Sequence, residues 1–218
     1  MTTPSRTPLA IGAALIALAA VAAPAWAADA QAPQPYGRLH GDPAGSYTVD
    51  SDHSGVQFTI GHAGVGLFTG VFKKVTGSYT FDPKNPKADK ADITIPVDSL
   101  DTFLPVRNDD LKAAPFFDAK ANPDIHFVST RYVPQGKEGG TLYGNMTLRG
   151  VTKPVTFHVK LEGAGNVAYL PKPWGGYLSG FVATATIDRM DFGMTAFSGG
   201  LSHKVEVRVE IEGVRAAS

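Results

Sequence analysis

Apolar and polar side chains alternate most regularly between positions 142 and 161. Every second residue of 142–148 is apolar, with Gly144 among them, and the alternation resumes over 155–161. A two-residue period is typical of strands with one face in the interior. Gly150 separates the two runs and can form a tight turn, so we predict a β-hairpin. Pro154 lacks an N–H, and we expect it at the start of the second strand.

Other segments from position 47 onward show the same alternation. They cover residues 56–62, 75–81, 93–97, 125–129, 177–187 and 204–212. In the last of them one face is wholly apolar and the other charged, so one side is expected to face water and the other the interior. Only residues 107–114 look helical, and Pro115 ends that piece. This pattern predicts an all-β sandwich or barrel without deciding between them.

A series of short motifs resembles the YceI-like family of periplasmic, lipocalin-like lipid-binding proteins. The hairpin carries the most specific motif, G-x-L-T-I-x-G-V-T-K-P-V, with Met146 and Leu148 as hydrophobic substitutions. The others follow in the family's order and lie at residues 52–54, 99–102, 116–118, 122–130 and 188–193. The resemblance spans residues 47–212. It implies an all-β fold, an eight-stranded antiparallel lipocalin-like barrel with one short helix, over residues 46–214.

The first 27 residues have the pattern of a secretory signal peptide. Arg6 precedes an apolar run over residues 9–23, and Ala25-Trp26-Ala27 offers a small-x-small cleavage site. An uncleaved membrane anchor is the alternative, but the run is shorter than the ~20 residues that a spanning helix needs. Residues 28–45 are rich in Pro, Gly and Ala, which predicts a flexible tether. We therefore predict a periplasmic location.

Composition bears on the possible partners and on the possibility of disulfide bonds. The chain has 20 basic and 20 acidic side chains, and the signal peptide contains Arg6 alone among them. Such a balance gives no reason to expect a nucleic acid or an anionic membrane as partner. Cysteine is absent, so no disulfide can form and stability must come from the core and from sheet closure.

An eight-stranded barrel can be filled by side chains or can hold a small ligand. Gly77, Gly144, Ala183 and Ala185 carry little bulk on inward positions, which would leave space unless they mark bulges or close backbone approaches. The pattern leaves both readings open, whereas the resemblance implies an elongated cavity for a polyisoprenoid or another long-chain amphiphile. We predict that the cavity is lined by Val56, Phe58, Ile60, His62, Phe68, Phe72, Ile93, Ile95, Val97, Phe116, Phe127, Gly144, Phe157 and Phe181.

The helical segment departs from the family's usual R-D-x-H-L. Arg107 is kept, but Asn108 and Asp110 replace the usual Asp and His, so the preference for a ligand head group could differ. We predict Arg107 and Asn108 at the cavity mouth. Tyr169 and Trp174 lie on a turn-rich loop and are candidates for a lid, with a satellite core outside the barrel as the alternative.

No catalytic or metal site is predicted. The six histidines lack a spacing such as H-x-H, and His53 is interpreted first as a residue at a strand start. No G-x-S-x-G elbow is present. Asp188, Arg189 and Asp191 are interpreted as an ion pair that fixes a turn rather than as an acid/base cluster.

The sequence thus predicts non-catalytic binding of a long-chain isoprenoid lipid, a polyprenyl compound or a quinone tail, without a cofactor, for transport or storage. Two alternatives stay open. One is a filled barrel that contacts a membrane redox protein, and the other is an enzyme acting on a lipid head group. A homodimer is also left open.

Overall fold

The computed structural model describes residues 38, 39, 41, 44–167, 170, 171 and 175–215. Within them the chain forms one antiparallel sheet of 11 strands and one α-helix. The strands are β1 (Gly45–Val49), β2 (Gly55–His62), β3 (Gly66–Phe72), β4 (Thr76–Phe81), β5 (Ala91–Pro96), β6 (Leu100–Asp101), β7 (Asp124–Pro134), β8 (Gly139–Leu148), β9 (Val151–Asn166), β10 (Tyr177–Asp188) and β11 (Leu201–Arg215). Helix α1 is Pro105–Lys112, and 3₁₀ turns lie at Pro86–Ala88, Val97–Ser99 and Arg189–Phe192.

The sheet closes into an eight-stranded antiparallel barrel. The closed order is β1-β4-β5-β7-β8-β9-β10-β11, and β1 pairs back with β11. Strands β1 and β2 lie end to end along β11, because Tyr47 is opposite Arg215 and Val56 is opposite Val209. Strand β3 pairs with β2, and the short β6 pairs with β3. The barrel with one short helix that the resemblance implied is confirmed.

The predicted hairpin is formed by β8 and β9. Arg149 and Gly150 make its two-residue turn with φ of 53° and 71°, as a type I′ turn requires. Pro154 lies within β9 opposite Asn145 rather than at the strand start. Strand β10 pairs with β9 only from His158 onward, so Pro154 lies where β9 has a free edge and a missing N–H is tolerated.

Helix α1 begins and ends two residues earlier than predicted. Pro105 occupies its first turn, where a missing N–H leaves no helical bond unmade. The helix ends at Lys112, and the N–H of the following Ala113 donates to the carbonyls of Asp109 and Asp110. No strand was predicted at β3, because its sequence GLFTGVF contains two glycines, which are weak strand formers.

Part of the predicted tether is bound to the barrel. The Gly41 N–H donates to the Ala164 carbonyl at 2.7 Å, and the Ala164 N–H donates to the Leu39 carbonyl at 2.9 Å. Arg38 also forms an ion pair with Glu162 at 2.8 Å. These three residues of the predicted tether thus contact strand β9. The predicted signal peptide lies outside the described residues. No helix in the described ranges has the length and apolarity needed to cross a bilayer.

One end of the barrel interior is filled by aromatic rings, which we call the aromatic core: Tyr47, Tyr79, Phe81, Phe127, Phe157 and Phe181. Tyr47 and Tyr79 stack with ring centroids 5.2 Å apart, and Phe181 meets Tyr79 edge-on at 5.5 Å. The Tyr79 hydroxyl lies 2.7 Å from the Ser179 Oγ. Burial raises the pKa of Tyr79, so the phenol stays neutral.

Candidate functional site

A cavity of about 830 Å³ lies at the other end of the barrel, where β2, β3 and α1 meet. Its volume falls in the usual range for small-molecule sites. Most of its wall is apolar and comes from strands far apart in the chain. Besides the predicted residues discussed next, the wall includes Leu111, Phe117, Ile125, Met146, Leu148, Ile187, Met194, Phe197, Leu201, Val205 and Val207.

Many of the residues predicted to line a cavity do line this one. They are Val56, Phe58, Ile60, His62, Phe68, Phe72, Ile95, Phe116 and Arg107. Strand β2 contributes every second residue because side chains alternate along a strand. Its register with β11 sets Ile60 opposite Val205 and Phe58 opposite Val207, so two neighbouring strands present one continuous apolar wall.

Other predicted lining residues lie outside the cavity wall: Ile93, Val97, Phe127 and Phe157, which are buried, and Phe181, which is partly buried. Phe127 and Phe157 pack edge-on with centroids 5.2 Å apart, and Phe181 packs on Phe81 at 5.3 Å. Alternation identifies the inward face of a strand but not the depth along the barrel. That is why ring-packed and cavity-facing positions were predicted together.

Gly144 does not open space into the cavity, contrary to the prediction. A Cβ built there would lie 2.5 Å from the Phe127 Cε2 and 2.6 Å from the Val128 carbonyl oxygen, so the ring occupies the volume that glycine leaves. Gly77 has φ of +128°, and its Cβ would lie 3.0 Å from the Ile93 Cα. Both glycines therefore mark close approaches, which was the alternative interpretation of the small inward residues.

The two residues predicted at the mouth have different surroundings. The Arg107 guanidinium lies 4.0 Å from the Phe68 ring centroid at the cavity wall, and it donates to the Thr102 carbonyl at 2.6 Å. Asn108 instead accepts from the Thr102 N–H at 2.8 Å and lies outside the cavity wall. Asn108 therefore stabilises the junction of β6 and α1. Of the two positions that differ from the family's usual motif, Asp110 is the one that lies in the cavity wall.

Arg189 is a buried cation in the cavity wall with a bonding pattern that differs from the predicted ion pair. Its guanidinium donates to the carbonyls of Ser202 and Ala196, each at 2.9 Å, to Leu201 at 3.2 Å, and to Met194. Burial lowers its pKa. These bonds fix the segment that brings Met194, Phe197 and Leu201 to the cavity.

The neighbouring carboxylate has partners of its own. Asp188 accepts from the Met190 N–H at 3.0 Å and pairs with Lys204 at 3.2 Å, and both contacts lower its pKa. Asp191 is exposed. The contacts of Arg189 thus go to backbone carbonyls, and the predicted arrangement of an Arg paired between two carboxylates is not what the structure shows.

Several cavity residues are absent from the predicted lining. Val205 and Val207 were expected on the apolar face that buries the lipid, but they were not among the predicted lining residues. Met194 and Phe197 lie between a 3₁₀ turn and β11, where the sequence has no period that would identify an inward side.

The predicted lid residues Tyr169 and Trp174 lie outside the described residues. Their described neighbours Val167 and Gly176 adjoin the pair of Asn166 with Tyr177. That pair lies at the barrel end opposite the cavity, whose wall includes Ile187 at the far end of β10.

Asp50, His53 and Glu212 form a cluster away from the cavity, with ligand-type atoms all within 4.8 Å of one another. The His53 Nδ1 lies 2.8 Å from the Asp50 Oδ2, and this hydrogen bond raises the pKa of His53. Burial raises the pKa of Glu212. The donor set suits a divalent cation. In the fold it closes the turn between β1 and β2, since Asp50 also accepts from the Asp52 N–H at 3.0 Å.

Comparison with known proteins gives a consistent family. Residues 47–213 match the YceI-like domain. A UPF0312 protein of Yersinia enterocolitica is 42% identical over 175 residues, 79% of this chain and 88% of that protein. A UPF0312 protein of Pseudomonas aeruginosa is 40% identical over 174 residues, with the same coverage of 79% and 88%.

Solved structures agree with this match. BcnA of Burkholderia cenocepacia superposes with a TM-score of 0.66 at 26% identity, over 75% of this chain and 98% of that one. A polyisoprenoid binding domain from Saccharophagus degradans shares the fold, with a TM-score of 0.56 at 13% identity, over 78% and 98%. The barrel, the matched residues and these relatives together show that the chain belongs to the YceI-like domain family.

Proposed function

We propose that the protein binds a long-chain isoprenoid lipid, a polyprenyl compound or a quinone tail, and carries or stores it in the periplasm without chemical change. The cavity of about 830 Å³ with its mostly apolar wall carries this proposal. The structural neighbour described as a polyisoprenoid binding domain supports it, and the family favours a binding protein over an enzyme.

The affinity would come from burial of the tail. Removing apolar surface from water is worth about 25 cal/mol per Å², or ~0.8 kcal/mol for each buried methylene. The aromatic core fills the end of the barrel opposite the cavity mouth. A tail would therefore enter through the mouth and keep its head group there. Arg107, Asp110 and His62 are polar groups of the cavity wall that could orient a head group.

The cavity also bears on the two alternatives. The alternative of a barrel that contacts a membrane redox protein assumed that side chains fill the whole interior. A cavity of this size weighs against that alternative. An enzyme would need a converged acid and base beside the ligand. Within the described part of the chain, His53 is hydrogen-bonded to Asp50 and His126 to Asp92, and these four residues lie outside the cavity wall.

Mass spectrometry of lipid extracted from the purified protein tests the proposal. Ile60→Trp should reduce lipid occupancy, because Ile60 lines the cavity and an indole would take up ligand space. Gln57→Trp is the matched control, since Gln57 is exposed on the same strand. Both variants should melt near the wild-type temperature.

Protein that contains no lipid and takes up no polyprenyl phosphate would refute the proposal, as would full occupancy in Ile60→Trp. A chemically altered lipid that forms only with folded protein would refute the absence of catalysis.

A further inference from the structure

We infer that the rim of the cavity mouth docks on the surface of a lipid bilayer, so that a tail can pass between bilayer and cavity without crossing water. This inference rests on the proposed function, because it names the phase from which that cavity is loaded. The mouth rim is defined here by five large, exposed apolar residues: Val65, Leu67, Phe103, Val106 and Phe197.

The mouth rim is unusually apolar for an exposed surface. Val65 is 88% exposed, Leu67 79% and Phe103 76%, and residues 63–67 and 103–106 are exposed without a charged side chain among them. Single exposed apolar residues are ordinary, whereas several such stretches around one opening mark an interaction surface.

These stretches lie at the cavity itself. Leu67 and Phe197 are part of the cavity wall, and Val106 is followed by Arg107, which also lines it. The Phe197 ring stacks on the Phe116 ring of the wall with centroids 6.0 Å apart. The apolar interior therefore continues outward onto the mouth rim without a polar break at these positions.

The backbone holds two of the rings outward at a cost. Phe103 and Phe197 have φ of 62° and 51°, in the left-handed region that bulky residues avoid. The Phe103 N–H donates to the Asp101 carboxylate at 2.8 Å, and the Phe197 carbonyl accepts from Gly200 and Leu201 at 2.9 Å. A strained backbone that exposes a phenyl ring to water is consistent with a site where something apolar covers the ring.

Charges of both signs lie beside the mouth rim. Lys73 contacts Asp101 at 3.1 Å, and Lys112 contacts Asp98 at 3.6 Å. Helix α1 adds one arginine and two aspartates over residues 107–110. This mixture leaves no field of one sign to select an anionic surface or a charged protein. The chemistry therefore fits the uncharged acyl region of a bilayer, and binding should depend little on salt.

The cargo favours a bilayer over a second copy of the chain. A second copy seated on the mouth rim would cover the opening, whereas a bilayer is the phase that holds isoprenoid tails. Each methylene that must enter water lowers the population of the aqueous intermediate by roughly fourfold and slows the transfer accordingly. Contact between the mouth rim and the bilayer removes that penalty.

Flotation of the exported protein with phosphatidylcholine vesicles tests the inference. Phe103→Asn should weaken vesicle partition about tenfold, because it removes a large apolar side chain from the interface. Asn tolerates positive φ, so the fold should be kept, and Phe103 lies outside the cavity wall. Val65→Ser should act in the same direction. Val128→Ser, on an exposed strand position away from the mouth rim, is the matched control and should float like the wild type.

The inference is overturned if the wild type does not float, if Phe103→Asn floats equally well, or if binding requires anionic lipid and disappears in high salt. It is also overturned if the wild type is a dimer that Phe103→Asn dissociates and vesicles are not bound, because a second copy would then cover the mouth rim. Lipid uptake from detergent measures the proposed function separately. Uptake without flotation refutes docking alone, and flotation without uptake supports docking but refutes the proposed function.

Discussion

The substitution Gly144→Ala tests the division of the barrel into a filled aromatic core and a hollow end. An added Cβ would lie 2.5 Å from a Phe127 ring carbon and 2.6 Å from the Val128 carbonyl oxygen, closer than side chains approach in proteins. The ring can shift a little, but the carbonyl belongs to the neighbouring strand β7 and cannot move without distorting the sheet. Over-packing of this kind costs about 1–3 kcal/mol.

Gly66→Ala provides the contrast. Nothing lies within 4 Å of a Cβ at that position, and its φ is not in the left-handed region. Alanine there should be neutral or stabilise by up to ~1 kcal/mol, because it restricts the unfolded chain. The two glycines are both in strands, so the difference between the two variants isolates the effect of the surroundings.

Urea unfolding followed by circular dichroism gives the two free energies. If the ring is part of the clash, Gly144→Ala combined with Phe127→Leu should be less destabilised than the sum of the single changes, with a coupling of about 0.5–3 kcal/mol. Folded Gly144→Ala should keep its lipid, because Gly144 lies outside the cavity wall. Wild-type stability in Gly144→Ala, or loss of lipid from the folded variant, would refute the reasoning.

Three further outcomes are expected. Arg189→Lys should lose about 3 kcal/mol of stability, since one ammonium cannot reach the carbonyls that the guanidinium holds, and an unchanged thermal melt would contradict this. Burial raises the pKa of Asp89 from 3.8 to about 7, so the native state binds the proton more tightly and stability should fall as pH rises between these values. Asp89→Asn should remove that fall. If the urea midpoints of the wild type and of Asp89→Asn depend on pH in the same way, the prediction is wrong. The exported protein should begin near Ala28, and an intact mass that includes residues 1–27 would disprove it.

Local pattern was enough to predict most of the strands and their inward faces. In β11 the apolar residues Val205, Val207 and Val209 alternate with charged ones, and all three pair with the inward side of β2. Side-chain direction alternates along a strand for covalent reasons alone, so the sequence determines which face is apolar. The turn at Gly150 was predictable for a similar reason, because its backbone conformation is a local property.

The position of the cavity was decided by tertiary structure. Gly144 and Phe58 look alike in the alternation, but Gly144 faces the Phe127 ring of the neighbouring strand, and Phe58 faces open volume. The sequence around Phe197 has no alternation that would identify an inward side. Phe197 reaches the cavity because Arg189 donates hydrogen bonds to carbonyls of the segment around it.

Side-chain contacts of this kind depend on the register between strands and on the closure of β1 onto β11, which join residues far apart in the chain. The sequence by itself determined the inward faces, because these are set within each strand. The depth at which packed rings give way to empty space was determined only when the strands came together, because each side chain's volume is filled or left open by neighbours from other strands.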